Sequence, residues 1–236
     1  VNLTGDEACL GALRAEAASL IGALPAGAAP APAPAPVPAP SARGVAVPGK
    51  VCFVARVFPA PRYRDPAAPA VLTLANCLSD DILYKKVRVE GGAYGGMAMY
   101  NSNFGYVAFL SYRDPHLERT LETYDGVLAA FLAEPPDAET VRKTVIGTVA
   151  DLDRPMAPAV RGALAFERLL IGVTDDERQR FREAVLAMTP EALQRAARET
   201  LLPRAAEARQ AVLAPKDRIE AANRELGKPF EVETLD

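Results

Sequence analysis

The 236-residue sequence contains one histidine, three cysteines and no tryptophan, and its formal net charge is only −3. A single histidine cannot supply the two histidines that the zinc motifs H-E-x-x-H and H-x-x-E-H require, so these residues alone predict no metal site. The weak net charge gives no long-range field that would attract nucleic acid or anionic lipid. The one basic cluster, Lys85, Lys86 and Arg88, indicates a solvated helix end. We therefore expect neither nucleic acid nor membrane as a partner.

Long apolar runs are also missing. No stretch of 18 apolar residues could span a bilayer, and no charged-then-apolar signal segment opens the chain. Cys9, Cys52 and Cys77 are odd in number, widely spaced and set in apolar surroundings, which argues against a disulfide framework. The cysteine pattern predicts the cytoplasm or another reducing soluble compartment. Because the sequence begins VNLTGDE without an initiator Met, we expect a piece of a longer polypeptide.

The usual catalytic motifs are absent as well. The run GGAYGG does not match the dinucleotide fingerprint G-x-G-x-x-G, and neither G-K-[ST] nor the G-x-S-x-G elbow is present. His116 falls near the start of a predicted helix and is expected at the surface, so a serine or cysteine nucleophile would lack a base. The acidic pairs Asp80-Asp81 and Asp175-Asp176 fit helix starts, where the helix dipole favours them.

The composition that is present is that of a globular protein. Half of the residues are hydrophobic and 24% are charged, which predicts one domain over residues 1–236. Residues 25–40, PAGAAPAPAPAPVPAP, hold seven prolines and seven alanines. Such a composition favours polyproline II and predicts an exposed Ala/Pro-rich spacer, residues 25–45, inside that domain. A ligand for a proline-reading module is the alternative interpretation.

Periodicity predicts a helix, a strand and a hairpin in the N-terminal half. Thr4 and Glu7 form a possible capping box before an amphipathic helix that reaches Leu24. The run VCFVARVF, residues 51–58, predicts a buried strand. A second helix begins near Val71 and should end near Gly91-Gly92. The segments YGGMAMY and GYVAFLSY then flank NSNF, which indicates two strands joined by a short turn.

The C-terminal half is mostly helical by the same criteria. Asp114 is expected to cap a helix with Pro115 at its first position, and Thr174 with Glu177 forms a second capping box. Further helices are predicted over residues 141–152, over residues 162–170, after Thr189-Pro190 and around Ile219. The run QAVLA, residues 210–214, predicts a last strand. Together these elements predict an α+β two-layer domain in which helices cover one face of a mainly antiparallel sheet.

One long stretch adds a family resemblance. The run LYKKVRVEGGAYGGMAMYNSNFGYVAFLSYRDPHLERTLETYDGV, residues 83–127, resembles the C-terminal half of presequence protease-type enzymes, a branch of the insulinase and pitrilysin family of zinc metallopeptidases. The resemblance implies a peptidase of two similar halves that close into a chamber around unfolded peptides. It places the zinc and its inverted H-x-x-E-H motif in the N-terminal half, and this chain at the end of the second half. The expected partners are that catalytic half, in the same polypeptide or as a separate subunit, and a peptide substrate.

The same resemblance implies roles for residues of the RVEGGAYGG loop. An arginine and a tyrosine of the C-terminal half reach the zinc site in this family, and by motif they correspond to Arg88 and Tyr94. Both residue types can donate to the oxyanion that develops on a peptide carbonyl. Gly91 and Gly92 would fold the chain back between the two donors, and Gly95 and Gly96 would let a peptide backbone approach. No cofactor is expected in this chain itself, which alone should be inactive.

Two alternatives stay open. Arg88 could be only a helix-end cation and Tyr94 only a half-buried strand aromatic. The whole chain could likewise be a structural member of the fold with no role in peptide hydrolysis.

Overall fold

The computed structural model describes residues 1–25, 27, 40–225 and 229–234. Its contacts divide the chain into two compact units. The smaller unit holds Val1–Pro38 and Asp153–Arg178, and the larger unit holds Ala39–Leu152 and Gln179–Asp236. Most of the predicted Ala/Pro spacer lies outside the described residues. The single domain over residues 1–236 stays a prediction.

Helices and strands are interspersed at both ends of the chain, and the elements between residues 118 and 205 are all helices. In chain order the helices are α1 (Glu7–Ala23), α2 (Ala68–Leu78), α3 (Glu118–Ala133), α4 (Ala138–Leu152), α5 (Pro158–Ile171), α6 (Asp175–Leu186), α7 (Pro190–Arg195), α8 (Leu202–Ala205) and α9 (Lys216–Glu225). Two π-helical stretches continue α-helices without a break: Ser79–Val89 follows α2, and Ala196–Leu201 joins α7 to α8. None of the helices within the described ranges is long and apolar enough to cross a bilayer.

The larger unit is built on a six-stranded sheet. Its strands are β1 (Ala42–Ala46), β2 (Cys52–Pro59), β3 (Gly95–Asn101), β4 (Tyr106–Asp114), β5 (Arg209–Ala214) and β6 (Glu231–Thr234). They lie in the order β3-β4-β2-β5-β1-β6. The pairs β3-β4, β4-β2 and β2-β5 are antiparallel, whereas β5-β1 and β1-β6 are parallel. The predicted α+β fold with a mainly antiparallel sheet is therefore confirmed.

One face of the sheet carries the core. Cys52, Val54 and Phe58 alternate along β2 and are almost fully buried, and the buried sides of α2 and α3 belong to the same hydrophobic cluster. The opposite face is more open, since Met97 and Tyr112 keep 39% and 43% of their surface exposed. Among the described residues, all buried hydrophobic side chains lie in the larger unit.

In the smaller unit, helices α1 and α5 bury no residue completely. Leu20 of α1 and Leu169 of α5 are 65% and 74% exposed. The segment before α1 approaches α5 closely, where a Cβ atom built on Gly162 would lie 1.8 Å from Oγ1 of Thr4. A side chain at position 162 would therefore require Thr4 to move.

One predicted helix cap holds and two are wrong. Thr174 and Glu177 form the reciprocal capping box. The helix predicted after Thr189-Pro190 is capped by Oγ1 of Thr189, which accepts from the amide of Ala192. Helix α1, in contrast, is capped by Asp6, whose Oδ1 accepts from the amide of Cys9 at 2.8 Å. The predicted cap, Thr4, lies too far upstream because a cap must reach the amide two or three residues later.

The predicted cap at Asp114 is also wrong. Asp114 ends β4, and α3 begins only at Glu118, with Leu117 before it and no side-chain cap. The Asp114 carboxylate is fully buried and accepts from the amide of His116 and from Oγ1 of Thr120. It therefore ties the end of β4 to α3 as a buried acceptor.

The last residues of the predicted spacer belong to a strand. Ala42–Ala46 forms β1, and Ala42 and Ala46 are buried. The sequence pattern underestimated this segment because its pairing depends on β5 and β6, which lie more than 160 residues downstream. Non-local pairing of this kind leaves no local signature in a five-residue strand.

Candidate functional site

The RVEGGAYGG loop begins where the π-helical stretch ends. The amide of Glu90 donates to the carbonyl of Lys85, and the amide of Ala93 donates to that of Val87 at 3.1 Å. Gly92 has a φ of +75°, the left-handed conformation in which glycine ends a helix without strain. The predicted reversal at Gly91-Gly92 is therefore present, and Gly92 supplies it.

Two other glycines in this loop are needed for packing. A Cβ atom on Gly91 would lie 2.5 Å from the carbonyl oxygen of Val87, and one on Gly96 would lie 2.5 Å from Cβ of Val87. The Gly96 position is also only 2.9 Å from the carbonyl oxygen of Leu83. The π-helical stretch thus packs directly on the start of β3, which the absence of a side chain at Gly96 allows, and the absence of one at Gly91 leaves room for the turn that follows the stretch.

Arg88 lies in the last turn of the π-helical stretch and is exposed. Its guanidinium carbon is 5.3 Å from the centroid of the Tyr84 ring, within the range of a cation–π contact. Arg88 forms no ion pair in the part of the chain that the structure describes. Its five N–H donors are therefore available to a ligand.

Tyr94 lies immediately before β3. Its amide donates to the carbonyl of Tyr112 at 3.1 Å, and its ring meets the Tyr112 ring edge-on with centroids 5.8 Å apart. The Tyr94 side chain is nevertheless 68% exposed, and its hydroxyl has no partner among the described residues. The backbone and ring of Tyr94 are thus held by Tyr112, while its hydroxyl is accessible. This differs from the alternative interpretation, in which Tyr94 is a half-buried strand aromatic.

The residues that hold Tyr94 in place lie at the end of β4, and the sequence patterns did not indicate them. Arg113 has a φ of +50°, and within the described ranges it is the one residue other than glycine with a positive φ. Its guanidinium carbon is 5.8 Å from the Tyr112 ring centroid. A left-handed arginine carries strain that the surrounding structure must fix. The buried Asp114 with its two hydrogen bonds provides that anchor, and no sequence signal would have revealed it.

The structure places both predicted donors on one short segment without joining them. No hydrogen bond or ring contact links Arg88 to Tyr94 within the described residues, because Arg88 is over Tyr84 and Tyr94 is against Tyr112. Gly95 starts β3, which is an edge strand of the sheet. The segment therefore offers a guanidinium, a phenol and a strand edge, which together can bind an extended peptide and its carbonyl oxygens.

Other reactive residues do not form a second centre. Burial raises the pKa of the Cys52 and Cys77 thiols to about 11, which keeps both protonated at neutral pH. Within the ranges the structure describes, no group of three His, Cys, Asp or Glu residues could hold a metal ion. His116 is exposed at the turn between β4 and α3. A zinc ion therefore has no ligand set among these residues.

Sequence comparison identifies relatives of the region that contains the loop. Residues 46–211 match the PreP C-terminal domain family. Presequence protease 1, chloroplastic/mitochondrial, from Arabidopsis thaliana is 40% identical over 155 residues, which cover 66% of this chain and 14% of the relative. Protein HypA from Clostridium perfringens is 30% identical over 143 residues, covering 61% of this chain and 15% of the relative. The matched region thus spans about one seventh of the length of these relatives.

Solved structures share the fold at lower identity. A peptidase M16 inactive domain from Pseudomonas fluorescens has a TM-score of 0.61 and 19% identity, over 87% of this chain and 51% of that one. Pitrilysin has a TM-score of 0.61 and 13% identity, over 98% of this chain and 25% of that one. Because the family match also covers well over half of the sequence, the chain belongs to the PreP C-terminal domain family.

Proposed function

We propose that this chain is the non-zinc, C-terminal part of a metalloendopeptidase that degrades unfolded peptides in a closed chamber. In this proposal, Arg88 and Tyr94 bind the substrate and its transition state at a zinc site that the N-terminal half of the longer polypeptide provides. The names of the presequence protease relatives and the fold of the M16 neighbours support the reaction class. The activity of the whole enzyme is part of the proposal, since the chain matches only a small share of each relative.

The assignment of substrate binding to Arg88 and Tyr94 rests on the availability of their hydrogen-bond donors. Both side chains are exposed, and neither uses its donors on another described residue. When a peptide carbonyl is attacked, negative charge develops on its oxygen, and preorganised donors stabilise that charge most. The left-handed Gly92 and the hydrogen bond from the amide of Tyr94 to the carbonyl of Tyr112 fix the backbone between the donors, so little reorganisation is needed at the moment of reaction.

The loop glycines contribute in two ways. Gly91 and Gly96 make room for the π-helical stretch, which sets the position of Arg88 relative to β3. Gly95 and Gly92 leave the backbone uncovered beside Tyr94, at the edge of the sheet, where an extended peptide can add as a further strand. All four glycines are therefore proposed to serve substrate binding, two through packing and two through access.

Replacing Tyr94 by Phe in the longer polypeptide tests the assignment. The substitution removes only the hydroxyl, and losing one oxyanion donor typically lowers kcat by about 10²–10³. We expect KM to change much less, because the charge develops only in the chemical step. Tyr106→Phe is the matched control, since it removes a hydroxyl at the far end of the same hairpin and should leave kcat unchanged. Normal kcat in Tyr94→Phe would favour the purely structural alternative.

A further inference from the structure

Strand β4 contains one extra residue near its end. Phe109 and Ser111 are buried at alternate positions of this strand, so Arg113 would be the next residue to enter the core. Asp114 is buried there instead. From Ser111 to Asp114 the strand advances three residues, while its antiparallel partner β2 advances only two. This mismatch is a β-bulge, a feature that often redirects a side chain beside a functional site.

The bulge turns Arg113 out of the core. Its φ of +50° is the left-handed conformation, which strains the backbone of any residue that has a side chain. As a result Tyr112 and Arg113 are both exposed, although neighbouring residues of a strand normally face opposite sides of the sheet. A glycine would adopt the same backbone conformation without strain. The fold alone therefore does not explain an arginine at position 113.

Tyr112 connects Arg113 to Tyr94. The guanidinium carbon of Arg113 is 5.8 Å from the centroid of the Tyr112 ring, and the centroids of the Tyr112 and Tyr94 rings are also 5.8 Å apart. The two tyrosines keep 43% and 68% of their surface exposed. Arg113 and the two rings therefore form one continuous exposed surface, which begins at the proposed site of the reacting carbonyl and extends along the end of β4.

The Arg113 guanidinium is held in place while its donors are available. It lies over the Tyr112 ring and forms no ion pair or side-chain hydrogen bond with any residue in the described ranges. A planar guanidinium pairs best with a carboxylate, which accepts two parallel N–H bonds. We propose that Arg113 binds a carboxylate of the peptide substrate, a few residues along the peptide from the carbonyl that Tyr94 contacts. This inference rests on the proposed function and adds a substrate preference to it.

Cleavage of matched peptides by the longer polypeptide tests the proposal. The peptides differ only in one Glu or Gln, which a series moves along both sides of the scissile bond, and a C-terminal acid is compared with a C-terminal amide. At one of these places the carboxylate should lower KM by about five- to tenfold and leave kcat unchanged, because a contact away from the reacting atoms is equal in the ground and transition states. Equal KM values throughout would overturn the role.

Two variants of Arg113 separate its side chain from its backbone. Arg113→Gln should abolish the preference by raising KM for the carboxylate peptide alone. Arg113→Gly should do the same and leave Tm unchanged or raise it, because glycine relieves the left-handed strain. Arg119→Gln, which removes an exposed arginine of α3, is the control for net charge and should keep the preference. A preference that persists in the folded Arg113 variants, or an equal loss in Arg119→Gln, would overturn the proposal.

Failure of the proposed function gives a different pattern. Tyr94→Phe should lower kcat and keep the preference for the carboxylate. Fluorescence anisotropy of the same peptides, labelled with fluorescein, measures the preference as a ratio of Kd values without cleavage. If Tyr94→Phe has normal kcat while the Arg113 variants lose this ratio, the catalytic role of the loop fails and carboxylate binding stands. The reverse pattern overturns only the role of Arg113.

Discussion

Two adjacent glycines at the start of β3 have different surroundings. A Cβ atom on Gly96 would clash with the backbone-anchored Cβ of Val87 at 2.5 Å and with the carbonyl oxygen of Leu83 at 2.9 Å. On Gly95 the nearest atom would be Cε of Met97 at 3.2 Å, the far end of a flexible side chain. Only Gly96 is therefore required by packing.

Alanine substitutions at Gly95 and Gly96 should show which of the two glycines is required by packing. Gly96→Ala is expected to lower the free energy of unfolding by about 1–3 kcal/mol, the typical cost of overpacking. Gly95→Ala should change it by less than about 1 kcal/mol, since Met97 can move and alanine suits a strand better than glycine. Urea denaturation of the two variants provides the measurement. Equal losses would show that the π-helical stretch does not press on β3 as described.

At the residue scale, the motif identifies the loop but not the residues that support it. The glycine pair and the two donors were recognisable because RVEGGAYGG is a specific match and because glycine is common just past a helix end. Arg113 and Tyr112 were missed, since a left-handed arginine and an edge-on ring contact have no signature in the sequence. Arg56 was inside a correctly predicted strand, and its burial became visible only with the helix layer in place.

Among the elements, the junction of β4 and α3 depends on one buried carboxylate. Asp114 accepts at 2.7 Å from Oγ1 of Thr120, and both residues are buried. Thr123, one turn later, donates to the carbonyl of Arg119 from a partly exposed position. The two threonines thus form a matched pair that differs in burial and partner.

Valine replaces the threonine hydroxyl with little change in shape. Thr120→Val should cost about 1–3 kcal/mol of unfolding free energy, because it leaves part of a buried carboxylate unsatisfied. Thr123→Val should stay within about 0.5 kcal/mol of the parent, as expected for a surface position. Thermal unfolding of both variants checks this. A neutral Thr120→Val would mean that Asp114 does not tie β4 to α3.

Most elements were predictable from local patterns, and the exceptions share a cause. The hairpin β3-β4, strand β2 and the Thr174 cap follow from period and capping chemistry that act within a few residues. Strands β1 and β6 were missed because their parallel pairing depends on residues that are far away in the sequence. The π-helical windings were also missed, because they result from tertiary packing that helix propensity does not encode.

For the molecule as a whole, the family assignment rests on residues 46–211, and zinc has no ligand set in the described residues. His116 is the one histidine in the sequence. We therefore predict that the purified chain binds no stoichiometric zinc and cleaves no peptide. Elemental analysis with a peptide-cleavage assay tests this. One tightly held zinc per chain, with cleavage lost on chelation, would contradict it.

The partners and the compartment remain predictions at this scale. An N-terminal catalytic half and a peptide substrate are what the proposed function requires. The reducing soluble compartment indicated by the cysteine pattern stays a prediction. The proposed function itself depends on two side chains, so it can be tested without knowing the natural substrate.

The most direct measurement is a double-mutant cycle on kcat in the longer polypeptide, using Arg88→Ala, Tyr94→Phe and their combination. Each single variant should lower kcat by about 10²–10³, and the double variant should lose less than the product of the two factors, because both donors serve one oxygen atom. Thermal unfolding of all variants should match the parent, since both side chains are exposed. Near-normal kcat in the single variants, or losses that track a fall in Tm, would contradict a role for this loop in peptide hydrolysis.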